Sequence, residues 1–525
     1  MRPIELYDTT LRDGSQSEGI SFSVSDKLKI CEQLDLLGIH FIEGGWPGTN
    51  SKDGQFFREA RKLKIKNSKL VAFGSTRHAN AKASNDNILN GLLNADTEYI
   101  TIFGKSWDLH VTDVFRVDLE ENLRMIDDSI KYLKAKGRKV FYDAEHFFDG
   151  YNGNKEYALK TLKVAESSGA DRIILCDTNG GSVTSQVFEI VEEVRGAVRT
   201  PLGIHSHNDS DMAVANSIAA VQAGCIQVQG TMNGYGERCG NANLVSVIAN
   251  LKLKLGMECV SWMTLRELTE VARFVAEIAN MKLQDNQPYV GHSAFAHKAG
   301  VHVNAILKNP KTYEHVDPHA VGNHRRLLIS ELSGKSMIMK KAEDFNIDLG
   351  KGSLKSKKIL KALQEMEGKG YHFESAEASL ELLMKRVMKK FKDFFVLENF
   401  RVIIEKKKSS KMSTEATIKL KVGKELEHTA SLGDGPVNAL DSALRKALKN
   451  FYPKLGEMHL TDYKVRVLDE KEGTAARVRV LIQSQDKTDS WWTMGVSENI
   501  IEASWQALID SVEYKLLKDM KNTKK

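Results

Sequence analysis

The first 255 residues alternate between short apolar runs and longer stretches whose apolar positions recur every three or four residues. Runs at 4–8, 39–43, 69–74, 99–103, 139–145, 172–177, 202–207 and 226–231 read as buried strands, and the stretches between them as helices. One such helix is capped by Ser25, carries Leu28, Cys31 and Leu34 on one face and stops at Gly38. Eight strand–helix units in this length predict an α/β fold, a (β/α)8 TIM barrel, although alternation alone also admits a doubly wound sheet. The polar residues separate the two. Asp8, Arg12 and Asp13 follow the first run, Glu43 ends the second and Glu145 the fifth. Asp177 and Thr178 close the sixth, His205 and His207 the seventh, and Asn233 follows the eighth. A closed barrel gathers all of them at its C-terminal rim, where barrel active sites lie. An open sheet strings them along one edge.

The pattern changes past residue 280, which bounds a barrel domain at 1–280. Residues 281–345 are rich in His, Gly and Asn and read as a loop and helix subdomain. Residues 346–391 read as a helical linker broken at Gly350, Gly352, Gly368 and Gly370. Residues 392–520 form an α+β unit. Its strand-like runs are Phe400–Glu405, Ala416–Val422, Lys464–Leu468 and Ala475–Gln483, with helices near 436–450 and 498–517. The two similar strand–helix pairs hint at an internal duplication.

Composition narrows the classes. Of 525 residues, 42% are hydrophobic and 27% charged, with only eight Pro, which describes a folded, multi-domain protein. No window approaches the ~18 uncharged apolar residues of a membrane span. The N-terminus runs straight into the first strand without a secretory signal, and five Cys with no C-x-x-C pair fit a reducing compartment. A cytoplasmic location and no membrane partner are therefore expected. The net charge is only +6, and the Lys-rich stretches 355–361, 385–392 and 406–411 lack interleaved aromatics. They read as solvated faces, so no nucleic-acid partner is expected.

His205-Ser206-His207 is the sharpest local signal, because side chains two apart on a strand point the same way. Two imidazoles and a carboxylate, with Asp13 the natural third donor, suit a catalytic divalent metal. Arg12 stands where a guanidinium stabilises charge developing on a substrate oxygen, and Glu43 is placed to orient it. The glycine-rich segment Gly230–Asn243 leads into a helix at Leu244 and reads as a phosphate- or substrate-binding rim.

Three motifs together resemble one family: Leu11–Gln16, His205–Asp209 with Ala213–Ser217, and Gly236–Leu244. The chain is similar to the 2-isopropylmalate synthase, homocitrate synthase and citramalate synthase family of metal-dependent barrels, which condense acetyl-CoA with a 2-oxo acid. Gly433–Leu440 extends the likeness to the family's effector domain. Glu43–Gly48, Phe103–Asp108 and His297–Asn304 point to the branch that accepts pyruvate and forms citramalate, with 2-oxoisovalerate the alternative acceptor.

The resemblance implies a metal (Mn, Mg, Zn or Co) on Asp13, His205 and His207, with Asn241 a further contact. It implies substrate contacts from Arg12, Asp13, Thr178, Glu43 and Asn304, and acetyl-CoA contacts from Asn233, Gly234, Gly236 and Arg238. Arg12, Glu145, His302 and Tyr313 become the catalytic candidates, with Glu145 and His302 competing for the acetyl proton. His302 and Tyr313 then reach the site from a neighbouring subunit of a homodimer. It also implies isoleucine, made along the route that citramalate opens, as effector at Gly433, Asp434, Gly435 and Pro436, with leucine second. One departure stands out: Asp211 occupies a position where the family usually has Gly, and Asp tolerates turn conformations.

Overall fold

The computed structural model describes residues 3–329, 335–350, 353–406, 408, 412–468 and 476–523. Gly352, Ala475 and most of the Lys-rich stretch 406–411 lie outside the described residues. The chain forms two compact units, 1–295 with 315–325, and 296–314 with 326–525.

In the first unit eight parallel strands close into a barrel. They are β1 (Glu5–Asp8), β2 (Phe41–Gly45), β3 (Lys69–Ser75), β4 (Tyr99–Lys105), β5 (Lys139–Glu145), β6 (Arg172–Asp177), β7 (Leu202–Ser206) and β8 (Gln227–Gly230). Closure comes from β1, which pairs with both β2 and β8. The doubly wound alternative is excluded. The first helix, α1 (Val24–Leu37), is capped by Ser23 and not by Ser25, because Ser23 and Asp26 form a reciprocal capping box. Gly38 ends it at φ 92°, a left-handed turn that glycine adopts without strain.

Strand alternation sorts each side chain to the interior or the helix layer. Glu5, Arg172 and Gln227 meet across the barrel floor, the guanidinium holding Glu5 at 2.7 and 3.1 Å and the Gln227 amide at 3.1 Å. Above them Tyr7, Phe41, Val71 and Phe141 pack as an aromatic-rich layer with Tyr99. Its edge-to-face pair Phe41–Phe141, 5.1 Å between centroids, adds ~0.5–1.5 kcal/mol beyond burial. The polar and ionisable residues of the mouth lie above this layer.

In the second unit a helical segment (Gly300–Lys308, Lys335–Asp344, Ser353–Gly368 and Glu377–Val387) has its own apolar core around Val303, Ile338, Leu363 and Leu380. Two three-stranded antiparallel sheets follow. The strands Val396–Glu405, Ser413–Val422 and Glu425–Gly433 precede the helix Pro436–Leu448. The strands His459–Val467, Val478–Gln485 and Ser490–Ser497 precede the helix Ile500–Thr523. The duplicated pattern is therefore three strands and a helix, twice. Sequence reading missed the third strand of each set. Glu425–Gly433 has no fully buried residue, so its hydrophobic signal is weak. Among the described residues no helix is long and apolar enough to cross a membrane.

Candidate active site

The barrel mouth holds a cavity of about 240 Å³, with Arg12, Asp13, Glu145, Thr178, His205 and His207 in its wall. The turn after β1 places the first two. Asp8 is fully buried and accepts from the Thr10 amide and hydroxyl at 2.8 and 2.9 Å, and burial pushes its carboxyl up to about 7. Thr10 in turn accepts from the Met232 amide at 2.8 Å, tying this turn to the one after β8. Asp8 thus shapes the turn and stays out of the cavity wall.

Arg12 is held on several sides. Its Nε donates to Glu43 Oε1 at 2.6 Å, while Glu43 Oε2 accepts from the Tyr7 hydroxyl at 2.5 Å. The guanidinium carbon lies 3.8 Å from the Phe73 ring centroid. Burial alone would lower the Arg12 pKa, but Glu43 and Asp13 more than offset it, so the group stays a fixed cation. Such a donor needs no reorganisation when charge develops beside it.

Asp13, His205 and His207 place ligand atoms within 4.8 Å of one another, and all three are buried. The two Nε2 atoms are 3.4 Å apart and lie 3.5 and 3.9 Å from Asp13 Oδ2. His205 Nδ1 donates to Gln229 Oε1 at 2.9 Å, which turns the Nε2 lone pair inward. Gln229 is itself anchored by donating to Asp143 at 3.1 Å. Burial, then the neighbouring His205, pushes His207 down to about 4, so its ring is a neutral donor. Asn241 Oδ1 is buried without a hydrogen-bond partner. Converging neutral nitrogens, a carboxylate and an unsatisfied amide oxygen fit a divalent cation.

One wall is aromatic. Trp46, Phe73 and Phe103 pack with centroids 5.6–5.8 Å apart, Trp46 edge-on to both phenyl rings. Phe73 and Phe103 are apolar, bulky side chains near the ends of β3 and β4. Ile102, an equally plausible wall residue from composition, is fully buried in the helix-side core instead, because its neighbour Phe103 faces in. Trp46 belongs to the Glu43–Gly48 motif, but sequence reading gave it no place in the wall. It lies in the turn beyond β2, where no periodicity assigns a direction. Glu145, at the end of β5 beside β4, also lines the cavity and is bonded to Lys105, to which the Phe103–Asp108 motif gave no role. Thr178 accepts from the His146 amide at 2.9 Å.

Asn233, Gly234, Gly236 and Arg238 share the wall of a second cavity of about 360 Å³ with Met281 and Gln284. Arg238 also lines the first cavity and is pinned by two bonds to Asp209 at 2.8 and 2.9 Å. Gly236 sits at φ 159°, and a Cβ there would meet Asn241 Nδ2 at 2.1 Å. Asp211 has φ 60°, the left-handed conformation in which Gly is strain-free and Asp tolerated. Its side chain is exposed, 3.3 Å from the Asn208 amide, and is absent from the cavity wall.

His302, Asn304 and Tyr313 belong to the second unit and are exposed there. The His302 and Tyr313 rings stack at 4.1 Å. Gly433, Asp434 and Gly435 form the turn into the helix Pro436–Leu448, with the Asp434 amide donating to Asn438 Oδ1 at 3.2 Å.

A barrel with donors converging at its mouth defines the class of enzyme to which the comparisons also lead. Residues 3–275 match the HMGL-like family, 289–370 the homocitrate synthase post-HMGL domain-like family, and 374–516 the LeuA allosteric (dimerisation) domain. The chain is 56% identical to the (R)-citramalate synthase of Geobacter sulfurreducens over 99% of its length and 98% of that protein's. It is 55% identical to the (R)-citramalate synthase of Aquifex aeolicus, covering 98% of both. It is 30% identical to a probable 2-isopropylmalate synthase of Methanopyrus kandleri, covering 97% of both. The chain belongs to the 2-isopropylmalate synthase/homocitrate synthase family and is an acyl-transferring condensation enzyme.

Proposed function

We propose that this enzyme condenses acetyl-CoA with pyruvate and water to give (R)-citramalate and CoA, opening a route to isoleucine. The observation that carries the choice of acceptor is the aromatic wall of Trp46, Phe73 and Phe103 beside Arg12. Pyruvate ends in one methyl, and bulky rings fill the space a branched chain needs. The names of the relatives at 55–56% identity support the same reading.

Asp13, His205 and His207, with Asn241 beside them, would hold a divalent cation (Mn, Mg, Zn or Co). When bound, that ion supplies Lewis-acid polarisation of the acceptor's keto group. Arg12, steadied by Glu43, neutralises the negative charge growing on the keto oxygen, and Thr178 and Asn304 bind the acceptor carboxylate. The cavity around Asn233, Gly234, Gly236 and Arg238 takes acetyl-CoA. Proton removal from its methyl falls to Glu145, acting as a carboxylate, and to His302 with Tyr313 in support, supplied by the neighbouring copy in a cytoplasmic homodimer.

The test is thiol release from acetyl-CoA in the presence of a divalent metal and pyruvate, 2-oxobutanoate, 2-oxoisovalerate or 2-oxoglutarate. Pyruvate is expected to give the highest kcat/KM. A higher value with 2-oxoisovalerate assigns the enzyme to the isopropylmalate branch. Phe103→Ala is expected to shift the 2-oxobutanoate/pyruvate ratio upward by ~10-fold, in line with ~1–3 kcal/mol per methylene.

Isoleucine is the proposed effector, its carboxylate received at the N-terminus of the helix Pro436–Leu448 and its side chain by Leu432 and Val437. Millimolar isoleucine should inhibit the full-length enzyme, and Gly435→Val, which fills open space at that turn, should relieve the inhibition. A protein that neither binds isoleucine by calorimetry nor responds to it leaves this domain with a purely structural role.

A further inference from the structure

Lys105 and Glu145 are the last residues of β4 and β5 and are register partners, so their side chains rise together at the barrel rim. The Lys105 ammonium is bonded to Glu145 Oε2. It also lies 5.4 Å from the centroids of both Phe103 and Phe115. The Lys105 carbonyl accepts from Asn122 Nδ2 at 2.8 Å, which fixes the strand end beneath it. Glu145 lines the cavity, whereas Lys105 is only 8% exposed and stands outside its wall. Among the described residues no other group hydrogen-bonds the Glu145 carboxylate. A buried ammonium is costly without a counter-charge, so the pair constrains both side chains.

We infer that Lys105 is a positioning residue that holds the Glu145 carboxylate at the cavity wall. The inference rests on the reading of Glu145 as a carboxylate acting in proton transfer. Other groups also face Glu145. They are His110 from the π turn after β4, His146 and Asp149 from the start of the helix after β5, Asp143 two residues earlier on β5, Cys176 on the adjacent β6, and Arg12 across the mouth. Of these only Lys105 is a cation in direct contact. Taking it away removes the one positive charge held against the carboxylate, and losing an opposite charge at contact distance disfavours an ionised form.

The experiment is the pH dependence of kcat in the full-length, metal-loaded enzyme and its Lys105→Met, Lys105→Gln, Lys105→Arg and Glu145→Gln variants. Melting temperature and metal content are measured in parallel. For Lys105→Met and Lys105→Gln the acidic limb should move up by about one pH unit or more. Their kcat at neutral pH should fall ~10–100-fold, within the usual reach of general acid–base catalysis. Lys105→Arg keeps the charge but displaces the carboxylate, so its kcat should fall while the limb stays. Should neither neutral variant fold, Lys105→Arg decides, and wild-type kcat in it overturns the inference. Folded Met and Gln variants with an unmoved limb, beside an inactive Glu145→Gln, reduce the pair to a brace between strands. An active Glu145→Gln instead removes the reading of Glu145, and the role of Lys105 with it.

Discussion

His207→Ala is expected to leave a folded barrel that has lost its divalent ion and its condensation activity together. Asp13→Ala should behave alike, since both remove a buried donor from a set of three. The expected loss of metal affinity exceeds the ~10–100-fold that removal of an outer-shell partner causes. Gln229 provides that smaller step in the same molecule. It accepts from His205 Nδ1 at 2.9 Å, so Gln229→Leu frees the ring to turn and should cost metal affinity only within that ~10–100-fold range. Metal per folded chain, measured by elemental analysis beside activity, gives the order His207→Ala below Gln229→Leu below the unaltered enzyme. Stoichiometric metal in a folded His207→Ala variant removes these residues as ligands.

Arg12→Gln should lower kcat by ~10²–10³-fold, the range seen when one preorganised donor to a developing oxyanion is lost. Metal content should not change. Glu43→Gln tests the support behind it. The amide still accepts from Arg12 or Tyr7 but carries no charge, so the guanidinium is held less firmly and kcat should fall by a smaller factor. If Arg12→Gln raises KM for the 2-oxo acid and leaves kcat alone, the guanidinium binds ground state and transition state equally and is not part of the chemical step.

The barrel and most of its rim were legible because period-two alternation and the strand ends carry both. β5 and β6 were read to the residue as Lys139–Glu145 and Arg172–Asp177, and His205 and His207 converge with Asp13 as spacing on a closed barrel requires. Pairings between strands were not legible. Lys105 meets Glu145 across forty residues of sequence through β4–β5 register, and nothing local marks a lysine as buried. Trp46 sits in a turn, outside any periodicity. Ser23 and Ser25 both qualify as caps by type, and the carboxylate of Asp26 decides between them by reaching back to Ser23. The strand Glu425–Gly433 is polar enough to pass for a loop until its neighbour Ser413–Val422 pairs with it along its whole length.

The floor of the barrel has a kinetic meaning. Glu5, Arg172 and Gln227 stopper the far end, and the aromatic layer above them seals it a second time. This leaves the mouth as the open end of the barrel among the described residues. Arg238 borders both cavities, so the proposed coenzyme thioester would pass it above a 2-oxo acid seated against Arg12 and His205. Under the proposed function, the small reactant is therefore expected to enter first, and the spent carrier to leave before the product beneath it.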